Sequence, residues 1–72
     1  METMELRGMI YRKFKNEAEC ARKMGWSRQR LNKITTGKKI PDVNEVNDIA
    51  TALEEPVENV LYIFLPIRST NG

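Results

Sequence analysis

The residues whose types and spacing suggest chemistry lie in one short stretch, Arg28-Gln29-Arg30-Leu31-Asn32-Lys33. At ~100° per residue, Leu31 and Ile34 turn to one side of a helix, and Gln29, Asn32, Lys33 and Thr36 turn to the other. Arg28 and Arg30 flank that outer row. Guanidinium and ammonium groups donate to the O6 and N7 acceptors of guanine, and a side-chain amide pairs with adenine through one donor and one acceptor. An ordinary exposed helix sets Glu against Lys at i, i+4. This stretch holds no acid, so its charges repel one another unless a polyanion lies alongside. The chemistry on offer is recognition of base edges. Catalysis is not indicated: the chain has no His, the commonest general base and metal ligand, and no nucleophile–base pair or Gly-rich phosphate loop. Its one Cys is too few for a disulfide or a Cys-based zinc site. No enzyme activity, metal or cofactor is expected.

Charge is segregated along the chain. Residues 7–39 carry eleven of the twelve basic residues against two acids, a net +9, whereas residues 40–72 carry one base against six acids, a net −5. The overall +2 conceals this asymmetry, which suggests a polyanion-binding half. A solvated basic face is the plainer alternative. With 72 residues the chain is read as one domain, 1–72, whose small core leaves stability modest or shared with a partner subunit. The longest apolar run, Val60 to Ile67, is eight residues, far short of the ~18 of a membrane helix. The acidic start Met1-Glu2-Thr3-Met4-Glu5 does not read as a signal peptide, and one cysteine suits the reducing cytosol, so a cytoplasmic location is expected.

The elements that must position the basic stretch are short helices. Leu6, Met9, Ile10 and Phe14 predict a helix over 4–14. Asn16 with Glu19 has the form of a capping box and opens a helix over 17–24, with Ala18, Cys20, Ala21 and Met24 inward and Gly25 as its stop. Ser27 is an N-cap for a helix over 28–36, closed by Gly37. Asp42 with Glu45 opens a helix over 43–54, whose stripe is Val43, Val46, Ile49, Ala50 and Leu53. Pro56 suits the first position of a helix over 56–65, with Val57, Val60, Leu61 and Phe64 inward and Pro66 ending it. The tail 66–72 reads as extended or loose. The fold class is all-α, with a helix, a turn centred on Gly25, and a second helix carrying the basic row.

The run from Gly25 to Lys38 resembles the helix-turn-helix of the Cro/cI-type phage repressors, the XRE family. Ala21 matches the small residue at the helix crossing, Gly25 the turn glycine, Gly37 the glycine closing the recognition helix, and Pro41 with Val46, Ile49, Ala50 and Leu53 the element that follows. The resemblance spans residues 4–65 and implies a compact five-helix lambda-repressor-like DNA-binding domain. The narrower likeness is to short prophage-borne regulators.

Several positions depart from the family pattern. Glu17 stands where the family usually has a Gln that contacts DNA; an acid there should repel phosphate, although it suits a helix N-terminus. Cys20 replaces a usual Leu and Trp26 a usual Val or Ile, the larger side chain filling volume the smaller leaves. The family often pairs an Arg on the first helix with a Glu near the end of the third. Ile10 and Thr35 hold those places, so both charges are absent together and neither is stranded.

The leading reading is a sequence-specific, double-stranded-DNA-binding transcriptional regulator of phage or prophage repressor type. Arg28, Gln29, Asn32 and Lys33 are expected to read bases. Asn16, Ser27, Arg30, Lys38 and Lys39, with backbone N–H groups near Gly37, are expected to hold phosphates. Trp26 and Cys20 read as core rather than as a stacking platform or a redox sensor. A homodimer on DNA is expected, with Leu61, Phe64, Leu65 and Ile67 as its contact; the competing reading is a monomer whose tail folds over the first helix. The rival function is a protein-interaction module of the same fold, antitoxin-like or anti-repressor, which Glu17 and the acidic 42–58 segment favour.

Overall fold

Leu6 and Ile10, Cys20 and Ala21, and Leu31 and Ile34 all converge on one core, each at most 1% exposed. A computed structural model of the chain describes residues 4–65. Five helices follow in order: α1 Met4–Lys13, α2 Glu17–Met24, α3 Arg28–Thr35, α4 Val43–Leu53 and α5 Val57–Phe64. Among the described residues there is no strand. α2 packs on α3 and α4, α4 packs on α5, and α1 lies against the other four. Val46, Ile49, Ala50 and Leu53 line the inner side of α4, and Val60, Ile63 and Phe64 that of α5. Trp26 and Cys20 belong to the same buried cluster.

Helix ends follow local chemistry, with small differences from the expected limits. α4 stops at Leu53 because Glu54 adopts the left-handed conformation, φ 57°, and its N–H turns back to Ala50 and Thr51. Pro56 is the N-cap of α5 rather than its first residue, since its ψ of 141° is not helical. The Asp42–Glu45 capping box is complete, with bonds of 2.8 and 3.1 Å. The one at Asn16 is half formed. Asn16 Oδ1 accepts from Glu19 N–H at 2.9 Å, but the Glu19 carboxylate takes the N–H of Lys15, one residue before the cap.

The expected dimer contact also changes. Phe64 is 6% exposed and belongs to the core, because Val60, Ile63 and Phe64 share the i, i+3, i+4 face that meets α1 and α4. Val57 and Leu61, expected inward, lie one turn apart on the outer face with Tyr62 nearby, and all three are exposed. Leu65 is half-buried, and Ile67 lies outside the described residues.

Candidate nucleic-acid interface

The connection between α2 and α3 is set by backbone hydrogen bonds. Gly25 takes φ 75°, its N–H donates to Arg22 at 3.1 Å, and Trp26 N–H donates to Ala21 at 2.9 Å, a left-handed helix stop. A Cβ placed at Gly25 would meet nothing within 4 Å, so the backbone angle, not crowding, calls for glycine there. Ser27 Oγ then accepts from Arg30 N–H at 3.1 Å and starts α3. Buried Leu31, Ile34 and Thr35 fix the roll of α3. That roll leaves Arg28, Gln29, Arg30 and Lys33 exposed and Asn32 half-buried.

Two buried carboxylates, both on helix first turns, take up part of the basic row. Glu45 is 2% exposed. Its Oε2 receives Arg30 Nε and Nη2, both at 3.2 Å, and Lys39 Nζ at 2.8 Å. Burial pushes this carboxyl's pKa up, but the bonds from Lys39, the Asp42 N–H and Arg30 outweigh it and hold the pKa below the usual carboxylate value. Arg30 and Lys39, expected as phosphate contacts, are therefore bound to an internal anion. Lys38 is exposed.

Glu17 is the second such carboxylate, 8% exposed. Asn32 Nδ2 donates to its Oε1 at 3.2 Å, and Thr35 Oγ1 lies 3.1 Å from the same oxygen. Arg7 Nε stands 3.6 Å from Oε2. The acid expected to face and repel phosphate is turned inward and matched by a cation from α1. The positions Ile10 and Thr35 lack the family's usual charges, yet Thr35 keeps a polar partner on α2. Burial first, and the Glu17 charge second, push the Cys20 thiol up to about 11.

The remaining expected phosphate holders have local duties. Asn16 Oδ1 caps α2 and Ser27 Oγ caps α3. The backbone N–H groups near Gly37 are spent within the chain: Gly37 donates to Ile34 at 3.1 Å, and Lys38 and Lys39 donate to Lys33 at 2.8 and 3.0 Å. They satisfy the carbonyls at the end of α3, so they are not available to an anion. A groove of about 420 Å³ lies beside the outer row, lined by Arg7, Tyr11, Asn16, Glu17, Arg28 and Asn32. Arg7 and Tyr11 were not singled out from sequence. Their distance along the chain from α3 hides them, and only the i, i+4 spacing of the pair on α1 was legible.

Among the described residues, no group of His, Cys, Asp and Glu side chains is placed to hold a metal ion, and no helix is long and apolar enough to cross a membrane. The geometry is that of a helix with a basic outer row held by a glycine turn against a second helix. A helix-turn-helix family model of the Cro/cI-like type matches residues 15–59. No curated protein and no solved structure matches the chain. With more than half of its length matched, from Lys15 through the whole of α2, α3 and α4, the chain belongs to the XRE family of helix-turn-helix DNA-binding regulators.

Proposed function

We propose that this chain is a sequence-specific repressor of the prophage type, acting as a homodimer on double-stranded DNA. The observation that carries the reading is the outer row of α3. Arg28, Gln29 and Lys33 are exposed, Asn32 is half-exposed, and no acid interrupts them, while Leu31 and Ile34 are fully buried behind. Arg28 and Lys33 suit guanine edges, and Gln29 suits adenine. Lys38, and Arg7 in the groove beside α3, suit the flanking phosphates. The rival reading as a protein-interaction module loses Glu17, which is buried, and keeps the exposed acids Asp42, Asp48, Glu54 and Glu58, away from the basic row of α3 in sequence.

One α3 covers only a few base pairs. Two copies related by a two-fold axis would set their α3 helices ~34 Å apart, one DNA turn. Val57, Leu61 and Tyr62 on α5 supply an exposed apolar face for that pairing. A dimer seated across a promoter represses by occluding it. Selection of bound duplexes from a randomised pool, followed by titration at several salt concentrations, tests the function. The expected result is one enriched palindromic site and a log-affinity that falls steeply with log salt. No enrichment, or a flat salt plot, overturns the reading.

A further inference from the structure

We propose that Glu17 is a positioning residue: it holds the Asn32 carboxamide in one orientation and so disfavours guanine at the base pair Asn32 faces. The inference rests on the DNA-reading function proposed above and adds a specificity determinant on α2, outside the reading helix. A carboxylate only accepts hydrogen bonds. The end of the Asn32 amide that lies 3.2 Å from Glu17 Oε1 is therefore its NH2 group. The amide oxygen sits at the opposite end of the same plane. An unrestrained Asn flips and offers either a donor or an acceptor. Asn32 is restrained because its holder is itself held. Glu17 is 8% exposed, with Thr35 Oγ1 at 3.1 Å from Oε1 and Arg7 Nε at 3.6 Å from Oε2. The Asn32 oxygen then accepts from a base that carries a donor in the major groove, adenine at N6 or cytosine at N4. Guanine presents only the acceptors N7 and O6 there, so the fixed amide oxygen meets an acceptor and only the second amide N–H, the one Glu17 leaves free, can donate.

The test is selection from one randomised duplex pool with the wild-type chain, Glu17→Gln and Asn32→Ala, each with its helical circular-dichroism signal recorded. A Gln at 17 carries both a donor and an acceptor, so it partners Asn32 in either orientation. At a single position per half-site, the wild-type chain takes adenine or cytosine. Glu17→Gln raises guanine at that position by about fivefold or more, the lower end of what one base contact discriminates. Asn32→Ala abolishes the preference at the same position. Should Glu17→Gln lose its helical signal, Glu17→Asp keeps the charge, withdraws the carboxylate by one methylene and gives the same change. Guanine still rejected by both folded Glu17 variants overturns the proposal, as does an Asn32→Ala pattern identical to wild type. A wild-type chain that enriches no sequence overturns the DNA-reading function itself. Without any variant, the Asn32 side-chain amide protons should exchange with solvent more slowly than those of exposed Gln29; equal rates also overturn it.

Discussion

The guanidinium of Arg30 lies 4.0 Å from the centre of the Trp26 ring, while its Nε and Nη2 both reach Glu45 Oε2. One side chain thus ties the α2–α3 turn to the first turn of α4, although it stands within the basic row of the reading helix. Its planar, forked donors suit stacking and a carboxylate together, which a lysine would not. Arg30 therefore behaves as part of the scaffold.

That assignment separates two arginine and lysine positions by experiment. Arg30→Ala leaves the buried Glu45 carboxylate with one fewer charged donor, and should lower unfolding free energy by about 1–3 kcal/mol. Lys38→Ala touches no internal anion and should leave stability nearly unchanged while reducing the salt slope of DNA binding by about one. Urea unfolding and binding titrations on both variants check this; an Arg30→Ala chain as stable as wild type contradicts the scaffold role.

Gln29 is exposed on α3 and should act on bases rather than on stability. Gln29→Ala should cost about 1–3 kcal/mol on the preferred site and relax the preference at one base pair. Equal losses on specific and nonspecific duplexes would remove Gln29 from the reading set.

Acid should weaken the α3–α4 junction. Glu45 has a pKa in the folded chain below the ~4.3 of an unfolded glutamate. As pH falls through ~4.3 the unfolded chain takes up the proton first, so stability is present above that value and is lost down to the lower folded pKa. Glu45→Gln should flatten this part of the stability–pH curve. Chemical unfolding followed from neutral pH down through ~4.3 and below measures it.

Cys20 is fully buried and its thiol is pushed up to about 11, so very little thiolate exists at neutral pH. Alkylation by iodoacetamide should be slow in the native chain and rapid once it is unfolded in urea. Rapid native alkylation would place Cys20 at the surface.

The proposed dimer depends on α5. Val57→Asp and Leu61→Asp should leave the helical circular-dichroism signal in place, make the chain monomeric on sizing, and abolish cooperative binding to a palindromic duplex. Loss of the helical signal instead would assign these two side chains to the core, together with Phe64.

The five helices, their order and most of their ends were legible in the sequence, because spacing and capping are local. Leu6 and Ile10, or Val46, Ile49 and Ala50, announce an inner face within two turns; Asp42 and Ser27 mark starts through their side-chain oxygens, and Gly25 a stop through its left-handed backbone. The resemblance rested on the same short-range pattern, and the family match carries it from Lys15 to Asn59. What only the tertiary structure decided is the fate of charges far apart along the chain. Glu17 and Glu45 each meet α3 partners 15 residues away, which no periodicity records. Long polar side chains also have several rotamers, and burial against Trp26 or Thr35 selects among them. The division of α5 between core and surface was settled in the same way. Val57, Leu61 and Phe64 are equally apolar in sequence, and the docking of α5 onto α1 and α4 decides which of them water still reaches.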